Sequence, residues 1–345
     1  MPSSNALIRI LPLLLPILWG SQNVLAADGG YRLADKQVLP GAVRWDYLSV
    51  DPISHRLFLT RGDHVDVFDT TAKRIVASIA NTAGVHGVAI ASELDRGFTS
   101  NGGANSVTVF ALSSSATLAT VPVGAKPDSI VFDPKHKRIF VANGADKTLS
   151  VIDASTNKVV ATIALPGVPE TAVVDGKGFL FIAIEDKNAI VAIDTGSMRI
   201  VRQMDVGSVC DEPAGLAIDA ASDRLFAGCH NQKMVIVDGL TGKILSAPTI
   251  GRGNDATAYD AERKLAFASN GEGTLTIVDG DAPYAVVQTV ATMPRARTMA
   301  LDPHTHAIYL VSADADDAPA TPVAGQKPRA KRKPETFTVL TIAPR

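Results

Sequence analysis

The stretch PDSIVFDPKHKRIFVANGADKTLSVIDASTNKVVATIALPG, residues 127–167, decides how this chain folds. It divides into four short runs rich in Val, Ile, Phe and Thr, separated by Asp-Pro, Asn-Gly and Asp-x-x-Thr-x-Lys. β-Branched and aromatic residues suit the pleated surface of a strand, and the breaks between the runs are tight-turn chemistry. No long stretch shows the 3.6-residue apolar period, so the body of the chain is read without helix.

Working outward, the same skeleton returns as DPISHRLFLTRG (residues 51–62), DAASDRLFAGCH (219–230), DAERKLAFASNG (260–271) and DPHTHAIYLVSA (302–313). An Asp closes the third run at Asp69, Asp153, Asp194, Asp238 and Asp279. Aligned on this skeleton, an opening slot falls at Asp46, His86, Asp128, Glu170, Ala214, Asp255 and Arg297, in steps of 40, 42, 42, 44, 41 and 42 residues. A fixed period of that length marks repeat architecture. Four antiparallel strands per copy predict an all-β, seven-bladed β-propeller of four-stranded blades. Neighbouring blades cover both faces of each blade, which explains unbroken apolar runs such as Val235-Ile236-Val237. The seventh copy has its third strand at residues 337–340, and Arg345 follows before a fourth could form. KQVLPG at residues 36–41 matches the fourth-strand ending TIALPG at 162–167. The segment from about Tyr31 is therefore expected to supply the outer strand of the last blade, pairing the two ends of the chain and removing open sheet edges. One propeller domain is expected over residues 27–345.

The phrases FVANGADKTLSVIDASTNKVVATI (140–163) and FASNGEGTLTIVDG (267–280) resemble the YVTN-type β-propeller repeat proteins of bacteria. The resemblance runs from about Trp45 to the C-terminus, with copies two and four degenerate. The eponymous tetrapeptide here reads Phe140-Val141-Ala142-Asn143. The resemblance implies the fold and carries no catalytic signature, since propellers host enzymes and pure binding surfaces alike.

Residues 1–26 read as a secretory signal peptide: Arg9 is the lone positive charge, residues 11–19 are the apolar core, and Val24-Leu25-Ala26 precedes cleavage. The apolar stretch is too short and too Pro-broken to span a membrane. The mature protein is expected to be exported to the periplasm as a monomer. Without Arg9, 32 of the 33 basic residues face 35 acidic ones, a balance that gives no reason to expect nucleic acid as partner. The two cysteines, Cys210 and Cys229, fall at one end of the fifth copy, and an oxidising compartment favours a disulfide between them over a free thiol or metal ligand.

An insertion, residues 312–336, separates the second and third runs of the last copy. Asp314, Asp316 and Asp317 open it, and Lys327, Arg329, Lys331, Arg332 and Lys333 close it. This composition predicts a disordered loop, or more sharply a basic tether for an acidic partner.

Chemistry, if present, is expected at the channel mouth. The opening slots place Trp45, Asp46, His86, Asp128, Glu170, Asp255 and Arg297 in a ring, with Asn143 and Asn270 beyond it. Polar residues in such slots can equally serve turns. Their variety favours a ligand site, and Trp45 is a candidate stacking platform against an alternative place in the core. Simple binding of a small molecule or envelope protein leads. One alternative is a divalent metal on His86 with Asp46, Asp128 or Glu170. Another is a hydrolase of the lactonase kind, with His86 or a carboxylate as base and Arg297 or Arg295 stabilising an oxyanion. There is no G-x-S-x-G, H-E-x-x-H, C-x-x-C-H or phosphate-binding loop.

Overall fold

A computed structural model of the chain describes residues 30–41, 43–315 and 332–345. Residues 1–26, where a signal peptide is expected, lie outside the described residues, as do 316–331 of the insertion. Seven four-stranded antiparallel sheets account for the described strands. The inner strands run from Leu48–Asp51 in blade 1 through Val85–Ala91, Pro127–Asp133, Pro169–Val174, Pro213–Asp219 and Asn254–Asp260 to Met299–Leu301 in blade 7. Each inner strand touches the next, and the last touches the first, so the ring closes. The only described helices are two 3-10 turns, Ser92–Leu94 and Glu185–Lys187.

Blade 3 shows why the run of residues 127–167 folds as it does. Its second and third strands, Arg138–Asn143 and Thr148–Asp153, are buried at nearly every position, whereas its outer strand Lys158–Ala164 is largely exposed. Middle strands are covered on both faces by neighbouring blades, so they carry no polar alternation. The Asp-Pro signal is an Asx turn: buried Asp133 accepts the amide of Lys135, and Lys137 takes the left-handed conformation that reverses the chain. Asp51, Asp219, Asp260 and Asp302 repeat the device with Ile53, Ala221, Glu262 and His304. Asp153 accepts the amides of Ser155 and Thr156 at the next turn.

An arginine at the start of the second strand latches blade to blade. Arg56 donates to the Leu112 carbonyl, Arg96 to Ala154, Arg138 to Thr195 and Gly196, and Arg224 to Gly280. Each acceptor lies after the third strand of the following blade, where a turn carbonyl has no ladder partner.

Closure follows the expectation. Strand Tyr31–Leu39 pairs antiparallel with Phe337–Pro344, from Tyr31 opposite Pro344 to Leu39 opposite Phe337. Arg61 clasps this junction. It is 2% exposed, pairs with Asp66 at 2.7 Å, donates to the Pro40 carbonyl and lies 3.9 Å above the Phe337 ring. Cys210 and Cys229 form a disulfide, Cα to Cα 5.5 Å, and both are buried in the core of blade 5. Both flanks of the insertion are held: Ala315 bridges Arg332, and Lys333 donates to the Asp314 carbonyl.

Candidate functional site

The opening slot lies at the start of each inner strand, where strands from successive blades converge on the axis. There the side chains of blades 1, 2 and 3 meet. His86 Nδ1 lies 2.6 Å from Asp46 Oδ2 and 3.6 Å from Asp128 Oδ1. On the opposite arc, Arg297 of blade 7 pairs with Asp255 of blade 6 at 3.3 Å. Glu170 of blade 4 has no hydrogen bond or ion pair among the described residues, and Ala214 leaves the blade 5 position apolar. The side chains of Asp46, His86 and Asp128 are each about one-third exposed, so solvent reaches the mouth.

Tyr47, which sequence reasoning passed over, follows Asp46 and crosses the channel. Its amide donates to the His86 carbonyl, and its hydroxyl meets Thr171 of blade 4 at 3.4 Å. It aligns with Gly87, Ser129, Thr171, Gly215, Ala256 and Thr298 of the other copies, and its bulk in that column of small residues was the signal available in the sequence.

Four carboxylates against one imidazole and one guanidinium make the mouth electronegative. Asp128 is pushed up to about 6, chiefly by burial; His86 opposes the rise, and Asp46 and Asp255 add to it. Burial and then Asp128, Glu185, Asp255 and Asp46 push Glu170 up to about 9. Burial also raises Asp255, against the pull of Arg297. His86 is raised first by its hydrogen bond to Asp46, with burial opposing. The Tyr47 phenol stands well above its ordinary value through burial and the same carboxylates.

Glu170 therefore keeps a proton in the folded chain that the unfolded chain releases near 4.5. The folded state binds more protons between that value and about 9, so stability falls as pH rises through this window. Glu170→Gln is expected to remove the loss. Solvent at the half-buried carboxyl screens the effect, and a gain of about 1–2 kcal/mol at pH 8 is expected, vanishing near pH 4. Urea unfolding at both pH values checks this; a variant no more stable than wild type at pH 8 refutes it.

Other candidates sit elsewhere. Asn143 and Asn270 are fully buried between the second and third strands. Asn143 donates to Thr148 and Ser150, and Asn270 to Thr274 and Thr276. They are rungs of the blade and do not face the channel. Trp45 borders the mouth, but the Arg332 guanidinium lies 3.8 Å above its ring and Phe337 packs beside it at 5.8 Å. It belongs to the blade 1–blade 7 core margin, which takes it out of use as an open stacking surface. Outside the ring, Glu185, Glu212 and His230 form a second group in a recess beside the disulfide, with His230 Nδ1 2.7 Å from Glu212.

Comparison with known proteins shows the fold alone. No family model matches the chain, and no curated protein does. Among solved structures, a Kuenenia stuttgartiensis hydrazine synthase chain matches at 15% identity and TM-score 0.71, over 79% of this chain and 94% of that one. The U3-55K structure matches at 11% identity and TM-score 0.75, over 90% and 99%. The RRP9 WD40 repeats match at 10% identity and TM-score 0.77, over 91% and 100%. The class is thus a seven-bladed β-propeller. No described helix is long and apolar enough to cross a membrane.

Proposed function

We propose that this chain is an exported, periplasmic propeller of the YVTN type that binds a cationic small molecule, or a cationic group of an envelope protein, at its channel mouth. The observation that carries this reading is the excess of carboxylates contributed by four blades, with Glu170 left unpaired and pushed up to about 9. A site that retains protons against neutral solvent favours any cation able to replace them. Tyr47 reaches from blade 1 to Thr171 of blade 4 and adds a hydroxyl to the polar groups that converge at the mouth. The disulfide accords with an oxidising compartment. The hydrolase reading ranks second, because Arg297, one of its two candidates for stabilising an oxyanion, is engaged by Asp255.

Thermal unfolding with spermidine, a lysine-rich peptide and citrate tests the proposal. The two cations are expected to raise the melting temperature, citrate is not, and Asp128→Asn with Glu170→Gln should abolish the rise. A rise that survives both substitutions would remove the mouth as the site. Turnover of lactones lost in His86→Ala would replace binding by hydrolysis.

A further inference from the structure

We infer that Asp46 Oδ2, His86 Nδ1 and Asp128 Oδ1 form a site for one first-row divalent metal ion of the zinc or manganese class. The inference rests on the reading of the mouth as a cation site and names its occupant. The three residues come from three consecutive blades, and one ligand atom from each lies within 4.8 Å of the others. Metal bonds of about 2.0–2.2 Å leave ligand atoms roughly 3–3.5 Å apart. The observed separations from the imidazole nitrogen, 2.6 and 3.6 Å, bracket that range, so small rotations of the carboxylates suffice.

Two further observations separate this group from a chance cluster of acids. First, the imidazole is fitted into place. A Cβ on Gly102 would stand 2.7 Å from His86 Nε2, so glycine at 102 makes the room the ring occupies while its Nδ1 faces both carboxylates. Second, the charge does not close with a proton. An imidazolium between two carboxylates leaves one negative charge. A divalent ion taking the proton's place on Nδ1 brings the three ligands to neutrality. One imidazole with two carboxylates suits zinc or manganese better than calcium, which prefers oxygen alone. The outer group, Glu185, Glu212 and His230, has the same donor types but more exposed side chains, 38% for His230 and 58% for Glu212. It serves as the internal control.

The experiment is calorimetric titration of chelator-stripped full chain with zinc chloride and manganese chloride, alongside cobalt absorption spectra. One ion per chain is expected, with binding lost in His86→Ala and Asp128→Asn. Gly102→Ala, which crowds the ring without removing a ligand, should weaken binding about tenfold. His230→Ala should leave it unchanged, and circular dichroism should show every variant folded. Binding that persists in His86→Ala but disappears in His230→Ala would overturn the inference. So would absence of metal binding while spermidine still raises the melting temperature, an outcome that leaves the broader cation reading standing. Failure of metal and organic cations together would sink both.

Discussion

Replacing Arg61 with methionine is expected to destabilise the protein by about 3–5 kcal/mol, the cost of breaking a buried ion pair from one side. Arg61 is among the largest fully buried side chains, and its guanidinium joins three parts of the closure. It pairs with Asp66 of blade 1, reaches the Pro40 carbonyl next to the N-terminal strand, and covers Phe337 of blade 7. Methionine keeps much of the volume over Phe337. It leaves Asp66, 6% exposed, with only the His64 imidazole 3.5 Å away, a partner that carries charge only when protonated. Guanidinium unfolding measures the loss, and Arg61→Met with Asp66→Asn should recover part of it because the stranded charge is then gone. A loss below about 1 kcal/mol for the single variant would show the pair to be no stronger than a surface ion pair.

Removing the disulfide, as Cys210→Ala with Cys229→Ala, is expected to cost about 3 kcal/mol. The bond joins residues 19 apart in sequence, tying the connection that enters blade 5 to the end of its second strand. Without it, this connection regains the freedom in the unfolded chain that the crosslink removes. Both half-cystines are fully buried among Met204, Val206 and Leu216, so deleting the two sulfur atoms also leaves a small cavity, whose cost adds to the entropy. Denaturation of wild type with and without reductant should reproduce the difference between wild type and variant. Equal stability of the two proteins would mean that folded packing alone holds the connection.

The mouth residues divide by what a repeat alignment can see. Asp46, His86, Asp128, Glu170, Asp255 and Arg297 occupy one slot, so alignment places them on one ring. It does not say which of them touch. Asn143 and Asn270 also recur at one position, and recurrence alone reads as a second circle of polar residues. Their burial follows from the next strand, where Thr148 and Ser150, and Thr274 and Thr276, stand two apart on one face and accept the amides. That alternation was visible in the chain, and it marks a polar rung inside the blade. Trp45 had no such marker. Its cover, Arg332, comes from 287 positions along the chain, beyond any local pattern.

The amino-acid order by itself determined the blades, their number, the closing strand and the cysteine pair. Each depends on local turn chemistry or on a period repeated along the chain, and such signals survive without knowledge of neighbours. The latches from Arg56, Arg96, Arg138 and Arg224 were half legible, since the arginine recurs but its carbonyl partner in the next blade does not. Only the tertiary structure decided that Tyr47 crosses the channel, that His86 stands between Asp46 and Asp128, and that Arg297 is engaged by Asp255. Ring closure brings residues some 40 positions apart within hydrogen-bond distance, and the burial that raises Glu170 exists only once four blades share one axis.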